Sequence, residues 1–83
     1  MKMKDLVGII TPWSCVDDKF TIDGNRITVR LRNTDCVILR PGDLLKVEGF
    51  DDCRRFQDGY VEFIRKDYVG ENVTRCAFRR IRL

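Results

Sequence analysis

Arginine is the residue type whose placement in this 83-residue chain points most directly to chemistry. Arg26, Arg30 and Arg32 recur at even spacing, and Arg75, Arg79, Arg80 and Arg82 crowd the last eleven residues. A guanidinium is planar, permanently charged and forked, so it grips phosphate and stacks on flat rings where an ammonium cannot. The matching ingredient is an exposed π surface, on which each stacked base contributes about 1–3 kcal/mol whatever its sequence. The single tryptophan, Trp13, directly after Pro12, is the best candidate for it.

The residue types that are missing narrow the field. There is no histidine, which removes Ser-His, Cys-His and His-metal chemistry from this chain. Cys15, Cys36, Cys53 and Cys76 are widely separated, and no Cys-x-x-Cys pair exists to form half a zinc site or a redox motif. They read as small, reduced, mostly buried side chains of a cytoplasmic protein. Asp51, Asp52, Asp58 and Glu62 form an acid-rich stretch whose spacing matches no calcium loop. A general base would have to be a carboxylate or lysine with a shifted pKa, and no isolated apolar pocket is visible to shift one. The expectation is a protein that is not an enzyme and carries neither metal nor cofactor.

Charge is distributed unevenly. Residues 1–40 carry seven basic and five acidic groups, residues 41–72 five and eight, and residues 73–83 four arginines and no acid. A net charge of +3 is too small to argue for a polyanion, but the clustering is not. No apolar run exceeds five residues, too short for a membrane span, and the basic N-terminus lacks the h-region of a secretion signal.

The elements that must position these groups are strands. Hydrophobic residues alternate with period 2 nearly throughout, and no helical pattern of 11 residues appears. Six strands are expected: residues 5–11, with Gly8 inside and Pro12 as the stop; 19–22; 26–32; 44–50; 60–66; and 73–83. Asp23-Gly24-Asn25 makes a hairpin turn between the second and third, because Gly and Asn tolerate positive φ. Residues 34–39 read as an extended link or one helical turn, and Arg40-Pro41-Gly42-Asp43 as a turn. Residues 51–59 read as a long polar loop, and Gly70-Glu71-Asn72 turns into the last strand. In the third strand Ile27, Val29 and Leu31 share one face, and Arg26, Thr28, Arg30 and Arg32 the other. One domain, 1–83, accounts for the whole chain.

A glycine-bearing first strand, the Gly24-Asn25 turn, the run Arg40-Pro41-Gly42-Asp43-Leu44-Leu45-Lys46-Val47-Glu48-Gly49 and then Gly59-Tyr60-Val61-Glu62-Phe63 resemble an OB-fold. The order is similar to single-stranded-DNA-binding domains of the replication protein A kind, and also to RNA-binding barrels of translation factors. The resemblance covers residues 5–66 and implies a small all-β, five-stranded Greek-key barrel; residues 73–83 would be an additional C-terminal strand. It implies a binding surface on strands two and three and the loops joining strands one–two and four–five. Carried onto this sequence, that surface is Trp13, Lys19, Phe20, Arg26, Thr28, Arg30, Arg32, Arg54, Arg55, Phe56 and Tyr60. Phe20 reads equally well as core, alternating with Thr21 and sharing a face with Ile22. The arginines at the C-terminus could pair with the acidic middle segment. The expected partner is single-stranded DNA, ahead of RNA. The alternative is a protein-interaction subunit of a larger complex. Self-association or a partner subunit would compensate weak binding by one small domain, with the C-terminal strand as the available edge.

Overall fold

The architecture is a single six-stranded sheet, seen in a computed structural model that describes residues 6–17, 19–50 and 57–82. The strands are β1 (Leu6–Ile10), β2 (Thr21–Asp23), β3 (Arg26–Arg32), β4 (Leu44–Val47), β5 (Gly59–Gly70) and β6 (Val73–Ile81). One short helix, α1 (Asn33–Cys36), and a 3₁₀ turn, Pro12–Ser14, complete the set. The all-β expectation holds.

The strand order is β1-β4-β5-β6-β3-β2, with β1 and β4 parallel and every other pair antiparallel. This corrects one expectation. The C-terminal strand is not an appendage with a free edge but lies between β5 and β3, paired on both flanks. Its own alternation explains the placement. Thr74, Cys76 and Phe78 are fully buried, while Arg75 and Arg79 point outward. The free margins of the sheet are β1 and β2.

Those margins approach each other through the 3₁₀ turn. The carbonyl of Ile10 accepts from Glu48 N at 2.9 Å on the β4 side, and Val16 N donates to Arg30 O at 2.7 Å on the β3 side. Cys15 also bridges to Leu31. Five residues thus carry the chain from one margin to the other. The core is built from Ile27, Val29, Val47, Phe50, Val61, Phe63 and Phe78, all within 2% of complete burial. Phe63 and Phe78, opposite each other on β5 and β6, meet edge-on at 5.5 Å between ring centres.

The turns follow the expected chemistry. Gly24 takes φ 61° in the β2–β3 hairpin, and Gly42 takes φ 96° after Pro41, where Asp43 N donates to Arg40 O at 3.0 Å. Strand boundaries moved where pairing partners run out or continue. The second strand is shorter and starts at Thr21. The fourth ends at Val47, since Gly59 is the last partner on β5. The fifth runs to Gly70 rather than Lys66, since Asp67, Tyr68 and Gly70 pair with Arg75, Thr74 and Val73. The link before Arg40 is a single helical turn, and Lys66 holds it. Lys66 Nζ donates to the carbonyls of Cys36, Val37 and Leu39 at 3.0, 3.1 and 3.3 Å, adding a charged donor at the end of α1, where the Cys36 carbonyl also accepts from Leu39 N at 3.1 Å.

Candidate nucleic-acid interface

The outer face of the sheet's centre is where the arginines gather. Even spacing on β3 and odd spacing on β6, brought together by antiparallel pairing, place Arg26 opposite Arg79, Thr28 opposite Ala77, and Arg30 opposite Arg75. Two short side chains therefore form a floor between two rows of guanidiniums. Like charges set directly opposite each other oppose folding, so the arrangement calls for a source of negative charge.

Carboxylates supply part of it. Arg79 is paired with Glu62 across the β5–β6 ladder, at 2.5 Å. Asp67 is shared by Arg75 at 3.9 Å and Arg65 at 4.0 Å. Arg30 Nε, itself buried, lies 3.5 Å from Asp17 Oδ2, close enough for attraction but not aligned as a hydrogen bond. Arg26 makes no ion pair with any described residue. Around the Thr28–Ala77 floor a groove of about 500 Å³ opens, whose charged lining among the described residues is Lys19, Arg26, Arg30, Arg65 and Arg75 with the carboxylate of Asp67. The exposed Asp67 pairs, at 3.9–4.0 Å, contribute about 0–1 kcal/mol each and exchange readily for a stronger anion.

Trp13 stands apart from this groove. Thr11 and Ser14 cap the 3₁₀ turn reciprocally, Ser14 N donating to Thr11 Oγ1 at 3.3 Å and Thr11 N to Ser14 Oγ at 3.2 Å. With Pro12 leading the turn, the indole is held outward, 91% exposed. It shares a second hollow, of about 390 Å³, with Arg32 at the far end of β3. Arg32 lines this hollow and not the groove, although it follows Arg26, Thr28 and Arg30 along β3.

The remaining expected residues separate. Lys19, Arg26, Thr28 and Arg30 line the groove together. Phe20 packs its ring edge-on against Phe50 at 5.3 Å and belongs to the margin of the core, the alternative its alternation allowed. Tyr60, half-buried on β5 between Lys46 and Ile81, lines neither hollow. Arg54, Arg55 and Phe56 lie outside the described residues. The acid-rich stretch is divided in the same way: Asp51 and Asp52 lie outside, Glu62 holds Arg79, and Asp58 accepts from the backbone N–H of Gly49 and Phe50 at 3.0 and 2.9 Å. Arg65 and Arg75 join the groove without having been singled out for it. Arg75 alternates outward with Arg79 on β6, whereas Arg65 shares its parity with the buried Val61 and Phe63 and turns outward only because the β5–β6 register shifts between Phe63 and Arg65.

Three thiols, Cys15, Cys36 and Cys76, are buried and free. Burial drives Cys15 up to about 11, with Asp17 adding to it. Burial likewise drives Cys76 up to about 12, with the neighbouring Cys36 thiol adding to it. Both are unreactive neutral thiols at neutral pH. Cys53 lies outside the described residues. No helix among the described residues is long and apolar enough to cross a membrane.

Comparison with protein-family models, with curated proteins and with solved structures returned no match.

Proposed function

We propose that this protein binds single-stranded nucleic acid along the outer face of β3 and β6, on a sheet curled as an OB-type Greek-key barrel. The observation that carries this reading is the cationic groove: among the described residues, five basic side chains and one carboxylate around a floor of Thr28 and Ala77. The short floor lets a backbone settle between the arginine rows. Phosphates displace the weak contacts that Asp17 and Asp67 make, because a guanidinium forks onto phosphate through two charge-assisted hydrogen bonds.

From Arg26 to Arg32 the strand runs six residue steps, about 20 Å at some 3.3 Å each. That suits a stretch near the lower end of the ~4–16 nucleotides an OB domain covers. At the end of the track Arg32 hands the chain to Trp13, whose exposed indole stacks a base. Stacking favours a single strand over a duplex, whose bases are already stacked on one another. Affinity comes from phosphates and stacking and carries little sequence preference along the groove. The sequence resemblance puts DNA ahead of RNA.

Titration of labelled oligo-dT, oligo-rU and a duplex at several salt concentrations tests the reading. Trp13 emission should be quenched by the single strands, and log K should fall against log salt with a slope of about −0.7 per phosphate contacted. Absence of binding at micromolar protein, a flat salt response, or preference for duplex would overturn it.

A further inference from the structure

The hollow beside Trp13 has a composition that backbone binding does not require. β1 forms one wall, with Val7, Gly8 and Ile9, and Leu31 and Leu39 form the base. Its polar groups are Ser14, Arg32 and Asp35, and Arg32 Nη1 lies 3.9 Å from Asp35 Oδ2. A mostly apolar concavity with a few convergent polar groups is the usual form of a small-ligand site.

Gly8 is the second observation. Glycine in mid-strand costs about 0.5–1 kcal/mol relative to alanine. It sits where the β1–β4 register shifts between Leu6 and Gly8, a bulge that accounts for part of its presence, yet the backbone does not require glycine. Gly8 is not among the residues with positive φ, and a Cβ at this position would meet nothing nearer than Leu45 Cδ2 at 3.6 Å, an ordinary contact. What the missing side chain does provide is access to the backbone wall of the hollow. Beside the bulge, the bare backbone leaves that wall open to close approach by a flat ring.

We infer that this hollow is a slot for one nucleobase of the bound strand, and that it selects guanine. The inference rests on the reading of the groove as a nucleic-acid track, which Arg32 continues into the hollow. A flat ring enters between the apolar wall and the Trp13 indole. The adjacent cation and carboxylate then meet its edge. Guanine places the O6 acceptor beside two donors, N1–H and the N2 amino group. Arg32 donates to O6, and the two oxygens of Asp35 accept from N1–H and N2–H. Adenine, cytosine and thymine each offer a carboxylate fewer donors in that arrangement. A two-pronged contact of this kind discriminates by about tenfold or more.

The test compares oligo-dT with the same oligomer carrying one guanine or one adenine, by fluorescence anisotropy at fixed salt. The guanine oligomer should bind the native protein about tenfold tighter than either other. Asp35→Asn, which leaves one acceptor in place of two, should bring the three together. Gly8→Ala, which the chain's own packing accommodates, should do so independently, with thermal melting confirming that both variants fold. Equal affinities in the native protein would overturn the slot, as would a guanine preference that survives both substitutions. In each of those cases oligo-dT still binds and the groove reading stands. Loss of all single-strand binding in the native protein would instead remove the groove reading, and the slot with it.

Discussion

Arg30 on β3 and Arg75 on β6 are direct cross-strand neighbours in the centre of the sheet, both on its outer face. Each has only a partial counter-ion: Asp17 at 3.5 Å for Arg30, and Asp67 at 3.9 Å for Arg75. Asp67 must also serve Arg65. A sheet built for stability alone would place opposite charges across this ladder. The juxtaposition contributes little to folding, which is why the proposed binding is tested first at this pair.

Binding and stability should separate at this pair. Arg75→Gln removes one repulsion and one weak ion pair, so the unfolding free energy should change by less than about 0.5 kcal/mol. Oligonucleotide affinity should fall, and the salt slope should become shallower by about 0.7. Urea denaturation and salt-series titration of the same variant check both halves.

Trp13 should behave as a solvent-exposed reporter. Its 91% exposure gives a red-shifted emission that neutral and ionic quenchers reach freely. Trp13→Ala should cost less than about 0.5 kcal/mol of stability, as for a surface position without packing. A blue-shifted, quencher-protected emission would place the indole elsewhere.

Lys66 should matter far more than a half-exposed lysine ordinarily does. Lys66→Met keeps the apolar stem but removes the charged donor from the carbonyls of Val37 and Leu39, and from that of Cys36, which retains Leu39 N. A cost of about 1–3 kcal/mol is expected. Amide exchange should accelerate around α1 before it does in β3 or β6. Uniform acceleration across all three would argue against a local tether.

The thiols set an alkaline limit. Cys15 and Cys76 titrate near 11 and 12 in the folded chain against an ordinary value of 9.0. Below pH 9 both states hold the proton, and stability is fully present. Between about pH 9 and 11 the unfolded chain releases protons that the folded chain retains, so stability should decline as pH rises through that window. Denaturant midpoints at pH 8 and pH 10.5 measure it. Alkylation of the two thiols at pH 8 should be slow unless denaturant is present.

Legibility varied along the chain for physical reasons. β3 could be read to the residue, since seven residues of strict alternation between two turn signals leave one solution. The six strands, both hairpin turns and the Pro41–Gly42 turn were legible for the same local reason. Phe20 was ambiguous because neighbouring Thr21 and Ile22 permit either face, and only the ring of Phe50 decides it. Asp67–Val69 reads as the approach to a turn, since nothing local shows that β6 continues to pair beside it.

The sequence by itself determined which residues alternate and therefore which arginines point away from the core: Arg26, Arg30 and Arg32 on one strand, and Arg75 and Arg79 on another. Side-chain direction in a strand is a period-2 property of the backbone, so it needs no partner. Only the tertiary structure decided that these two strands are neighbours, that the C-terminal strand is central, and that Trp13 shares a hollow with Arg32 rather than with Arg26. Strand order and register arise from contacts between residues some fifty positions apart, such as Arg26 with Arg79. No local pattern encodes such a contact. It is fixed by which buried faces complete one core, here Phe78 against Phe63 beside Ile27 and Val29.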